Sequence, residues 1–143
     1  MELVVDTNIL YTFFWKNSFA RKFLMKMSLE LYSPEFALVE INKHESDILE
    51  KTGISHKEFK ELKGELAIAV NFVPLDEYES LLKSALSFSP DPNDIDFFAL
   101  AMKLKLQLWS NDPALKKQNK VEVFSTSDLL NKPEFVDVLF PDE

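Results

Sequence analysis

Short apolar runs rich in β-branched and aromatic residues alternate with longer stretches of helical period along the whole chain. The runs are Leu3–Val5, Leu31–Tyr32, Phe72–Leu75, Leu106–Trp109 and Val121–Phe124. The helical stretches lie near 9–27, 35–51, 55–70, 76–86, 94–104 and 113–118, with a short one or two after Thr126. Strands that alternate with helices predict an α/β fold, a mostly parallel sheet covered on both faces. Turn chemistry marks the boundaries: Ser33-Pro34 and Pro90-Asp91-Pro92-Asn93 precede helices, and Asp112-Pro113 sets proline at a first helical position. At 143 residues the chain is predicted to form a single domain, 1–143, able to bury its own core. The 46% hydrophobic fraction and thirteen Phe supply the material for that core.

Composition removes several classes of function. The absence of Cys rules out disulfides and thiolate zinc sites, and fits a cytoplasmic setting. No run approaches the roughly 20 apolar residues of a membrane span, so no membrane association is expected. Only Gly53 and Gly64 occur, which excludes a glycine-rich phosphate loop or dinucleotide fingerprint. A net charge of −8 is unfavourable for direct phosphate binding, although divalent cations in a carboxylate site reverse that local balance.

The informative acids sit where α/β sheets present ligands, beyond the carboxyl ends of strands. Asp6 ends the first run in the stretch ELVVDTNIL. Its plain role is a helix cap; we assign it as a metal ligand because of the acids elsewhere. Asp112 ends LQLWSND in the same way, after Ser110 and Asn111, and is also placed to cap a helix. On the helix near 94–104, counting about 100° per residue puts Asp94 on the stripe of Phe97, Phe98, Ala101 and Leu104. Asp96 falls opposite, near Lys103, and is predicted to face solvent. A carboxylate turned toward the core boundary is costly unless it is hydrogen-bonded or holds a cation. Glu40 lies at the edge of the apolar arc Ala37, Leu38, Ile41, Ile48 and Leu49, on one stripe with Lys43, His44 and Asp47. His44 and His56 read as polar surface residues, with His44 at most supporting a ligand or touching substrate.

These acids in this order resemble the PIN-domain nucleases. The matching stretches are VVDTNIL, SPEFALVEINKH, DPNDIDFFALAMKL and LWSNDPAL, spanning residues 3 to 115. The resemblance implies an α/β/α sandwich around a mostly parallel sheet of four to five strands, and an acidic pocket that binds one or two Mg²⁺ or Mn²⁺ ions and cleaves RNA. Position by position it identifies Asp6, Glu40, Asp94 and Asp112 as metal ligands and catalytic acids, with Asn8 and Ser110 in support. Asp91, Asp94 and Asp96 crowd the third motif; spacing to Ala99-Leu100-Ala101 and the helix face select Asp94. The family includes small toxin ribonucleases silenced by an antitoxin peptide, so the expected partners are RNA, an antitoxin protein and, through Phe13–Trp15 and the terminal FVDVLF, a second copy of the chain.

The expected chemistry is hydrolysis of RNA phosphodiester bonds by a Mg/Mn-dependent endoribonuclease, since carboxylates suit hard cations that activate water and stabilise phosphate charge. Lys16, Arg21, Lys22, Lys26 and Lys43 are candidates to rim the pocket, whereas Lys57, Lys60 and Lys63 read as solvated. A rival reading is a silent PIN fold acting as a binding module. A phosphatase with Asp6 as nucleophile, as in haloacid-dehalogenase-like enzymes, is disfavoured because the second Asp of that family's pattern is replaced by Asn8.

Overall fold

Leu3, Val4 and Val5 are all buried, the pattern of a strand covered on both faces. In the computed structural model, which describes residues 1–15, 18, 21, 22 and 29–134, they belong to β1 (Glu2–Val5) at the centre of a five-stranded sheet. Its other strands are β2 (Glu30–Pro34), β3 (Val70–Val73), β4 (Gln107–Trp109) and β5 (Val123–Phe124). The order is β3-β2-β1-β4-β5, and every pairing is parallel. Among the described residues the helices are α1 (Thr7–Thr12), α2 (Glu35–Lys43), α3 (Glu45–Thr52), α4 (His56–Ala69), α5 (Leu82–Phe88), α6 (Ile95–Leu104) and α7 (Thr126–Leu130). This is the predicted α/β sandwich, with the sheet wholly parallel. None of these helices is long and apolar enough to cross a membrane.

The chain builds outward from β1 to β2 and β3 on one side, then returns to place β4 and β5 on the other. That reversal opens a crevice at the carboxyl ends of β1 and β4. Asp6 N–H donates to the Trp109 carbonyl at 3.1 Å, carrying the β1–β4 pairing one residue past the strand and fixing Asp6 beside Ser110. Ser33 braces the neighbouring pair, its hydroxyl donating to the Val5 carbonyl at 2.9 Å. Helix α6 lies against the sheet with Phe97, Phe98, Ala99, Leu100 and Ala101 all buried, so its N-terminus is held rigidly at the same crevice.

Several expected boundaries move. The helix predicted over 35–51 is two helices meeting at His44 (φ −101°, ψ 20°). Within the stretch near 9–27, α1 ends at Thr12 and a turn follows that buries Phe13 and Phe14 completely; Arg21 and Lys22 are helical again, and most of 16–28 lies outside the described residues. Of the Phe13–Trp15 surface expected for self-association, only Trp15 is exposed. FVDVLF, Lys16 and Lys26 lie outside the described residues. Arg21 does not rim the pocket: its guanidinium donates to the Phe13 carbonyl at 2.8 Å and to the Trp15 carbonyl, and stands over the Phe13 ring. Lys63, expected to be merely solvated, donates to Asn42 Oδ1 at 2.6 Å and covers the Phe59 ring.

Helix α3 stops at Gly53, whose φ of +74° is the left-handed conformation that glycine adopts without steric cost. No atom would obstruct a Cβ there. Gly53→Ala should therefore lose about 1 kcal/mol through backbone strain alone, seen as a lower urea midpoint at unchanged slope.

Candidate active site

Asp6 is buried, 3% exposed, and both its oxygens are engaged. Oδ1 accepts the Ile9 N–H at 3.0 Å, capping α1, and Oδ2 accepts the Ser110 hydroxyl. The capping role is thus real, and it orients the carboxylate. Burial raises the Asp6 pKa, the Ser110 and Ile9 hydrogen bonds hold it back, and Asp112 adds repulsion.

Ser110 Oγ also accepts the Asp112 N–H at 3.1 Å, so one hydroxyl ties the ends of β1 and β4 together. Asp112 Oδ1 caps the following 3-10 turn, Pro113–Lys117, through Ala114 N–H at 3.0 Å. Behind this loop, Trp109 Nε1 donates to Thr126 Oγ1 at 3.0 Å, and Asn111 Oδ1 accepts the Thr126 N–H at 2.7 Å. The acidic loop is clamped from both sides. Ser110→Ala leaves a buried Asp6 oxygen without its donor and should cost about 1–3 kcal/mol, measurable as a lower melting temperature.

Asp94 is different. It stands at the N-cap position of α6, yet its side chain makes no capping hydrogen bond, and no group among the described residues donates to it. Burial, then the charges of Asp91, Asp6 and Asp112, push its pKa up to about 6. A half-buried carboxylate with nearby acids and no donor is the arrangement a cation would relieve. Asp91 instead caps its own turn, accepting the Asn93 N–H at 2.9 Å.

Asp6, Asn8, Glu40, Asp94 and Asp96 line one cleft of about 490 Å³, with Tyr11 at one side and Phe36 and Phe97 forming an aromatic wall. Asp112 does not line it, but raises the pKa of both Asp6 and Asp94 from close by. Glu40 is a third exposed and lies 3.4 Å from His44 Nε2. The structure corrects one assignment: Asp96 does not face open solvent. It lines the cleft and accepts the hydroxyl of buried Tyr78 at 2.6 Å. Of the described basic candidates, Arg21, Lys22 and Lys43, none lines the cleft.

The donor set is all oxygen, which suits Mg²⁺ or Mn²⁺. Among the described residues no three acids or histidines close directly around one point. The fit is to an ion that keeps much of its water and takes one or two carboxylates, the habit of Mg²⁺.

Tyr11 and the Tyr78–Asp96 pair were not found from sequence. Tyr11 was within reach, three residues after Asn8 and so on the same helix face. Tyr78 carried no signal, because it stands eighteen positions before Asp96, with helix α5 and two 3-10 turns between them.

A parallel sheet with a carboxylate cleft at its switch point defines the class, a doubly wound α/β fold with an acidic site. The profile of the PIN domain family matches residues 4–126, and the chain belongs to that family, a nuclease fold that is usually metal-dependent. No curated relative matches.

Proposed function

We propose that this protein is a Mg²⁺- or Mn²⁺-dependent endoribonuclease acting in the cytoplasm, with Asp6, Glu40, Asp94 and Asp112 as the acids that hold the ion or ions, directly or through water. The observation that carries this reading is Asp94, a half-buried carboxylate with no hydrogen-bond donor among the described residues, lining one cleft with Asp6 and Glu40 and repelled by Asp91, Asp6 and Asp112. When bound, the divalent ion supplies water activation and charge stabilisation at the phosphate. The protein's share is positional. Ser110 fixes one edge of Asp6, Asn8 is placed to orient water or a phosphate oxygen, and the Phe36–Phe97 wall limits solvent on one side of the cleft.

The reading extends to a toxin of a toxin-antitoxin pair, with an antitoxin peptide as inhibitor and a homodimer as the working form. Exposed Ile68 and Val39, at 87% and 62%, are apolar side chains that such partners would cover. A second reading is a catalytically silent PIN fold serving as a binding module; that no three acids close around one point among the described residues is the observation in its favour.

The discriminating experiment incubates the purified protein with single-stranded RNA and millimolar Mn²⁺ or Mg²⁺, with a chelator control. Metal-dependent internal cleavage is expected. Intact RNA, with no binding of Mn²⁺ by the protein, would favour the silent module.

A further inference from the structure

A second cleft, of about 410 Å³, adjoins the carboxylate cleft and shares Asn8 and Tyr11 with it. Its first wall is Asn8, Tyr11, Thr12 and Trp15, at positions i, i+3, i+4 and i+7, one continuous stripe along α1 and the turn after it. The opposite wall is His44, Ile48 and Lys51, again one stripe, with Asp47 and Thr52 beside it. Two helical stripes thus face each other across a trough that opens into the acidic site. Trp15 is 55% exposed at the far end, and the Tyr11 ring meets His44 edge-on at 6.3 Å. Among the described residues lining either cleft, Lys51 is the one Lys or Arg.

The carboxylate cleft repels a polyanion, and none of the described residues lining it is a Lys or Arg. A nucleic acid must therefore gain affinity beside that cleft. Single strands are gripped by aromatic faces, on which any base stacks, together with cations that meet the phosphates. The trough supplies both, and its volume is in the roughly 300–1,000 Å³ range of small-molecule sites. From Asn8 to Trp15 the stripe runs about 10 Å, so a base on Trp15 belongs to a nucleotide flanking the cleaved one.

We propose that this second cleft is a nucleobase subsite for single-stranded RNA, with Trp15 and Tyr11 as stacking surfaces and Lys51 against the adjoining phosphate. The choice of RNA rests on the nuclease reading above; the geometry of the trough does not. Such a subsite accepts unpaired strands and rejects duplex, whose bases have no free face to offer.

The test is fluorescence titration of Asp94→Asn protein, which is expected to bind without cutting, with a single-stranded oligoribonucleotide of about eight nucleotides. Trp15 and Trp109 are the two tryptophans, and Trp109 is 1% exposed, so quenching reports on Trp15. Saturable quenching by the single strand and little by its duplex is expected. With affinities of the variants read instead from the anisotropy of the same oligonucleotide carrying a 5′-fluorescein, adding Trp15→Ala should weaken binding about tenfold, Trp15→Phe should restore most of it, and Lys51→Gln should flatten the salt dependence by about 0.7 in slope. Quenching that is absent at saturating oligonucleotide, or an unchanged affinity in Trp15→Ala, overturns the subsite. If wild type cleaves RNA and Trp15→Ala cleaves equally at low substrate, the subsite fails while the nuclease stands. If quenching is seen and no metal supports cleavage, the nuclease reading fails and the subsite stands.

Discussion

Asp94→Asn is expected to abolish cleavage and, at the same time, make the protein more stable at neutral pH. The two effects share one cause. The carboxylate is half buried, no hydrogen bond from the described residues supports its charge, and three other acids repel it, so its pKa stands at about 6 against an ordinary 3.8. Between those values the unfolded chain has released a proton that the native state still holds. Stability therefore falls as pH rises through this window and stays lower above it. With a discount for solvent around a partly exposed group, the penalty at pH 7 is about 1 kcal/mol. Asn removes it, and the melting temperature should rise by about 3 °C. The same substitution should lower RNA cleavage about a thousandfold, on the order of 4 kcal/mol of transition-state stabilisation. A divalent ion that binds only the native state adds stability by mass action. Millimolar Mn²⁺ should thus raise the melting temperature of the wild type and do little for Asp94→Asn. A variant that melts lower than wild type in metal-free buffer at pH 7, or cleaves at the wild-type rate, would remove Asp94 from the site.

Trp109→Ala should produce the largest loss of stability, about 3–5 kcal/mol. The indole is 1% exposed at the end of β4, paired in register with Val5 and Phe124, and its Nε1 holds Thr126 on α7. Removing it opens a cavity directly under the Ser110–Asp112 loop. Trp109→Phe separates packing from hydrogen bonding and should lose about 1 kcal/mol from the indole bond. Chemical denaturation with matched slopes would measure both. A loss under 1 kcal/mol for the alanine variant would mean that β4 does not depend on this residue.

The parallel sheet could be read directly because the apolar runs are short, uninterrupted and separated by helical periods, and parallel strands are buried on both faces. Asp6 and Ser110 were legible for a related reason: a charge or hydroxyl directly after a buried strand has few places to go. Boundaries failed where no glycine or proline marks them. Helix α4 runs straight into β3 at Val70, and α2 turns into α3 at His44 without a breaker residue. Asp96 failed because helical counting from Asp94 carries no information about partners outside the helix: the hydroxyl of Tyr78, on a separate element, holds Asp96 at the edge of the cleft.

By itself, then, the sequence determined the strand-helix alternation, the family and the order of the acids, because these depend on local pattern and on neighbours a few residues away. Only the tertiary structure decided which of those acids are already satisfied. Asp6, Asp91 and Asp112 accept backbone N–H groups, Asp96 accepts a tyrosine, and Asp94 is left with no donor among the described residues. A hydrogen bond across 104 residues, such as Ser110 to Asp6, and a burial energy set by surrounding elements depend on distances that chain spacing does not contain.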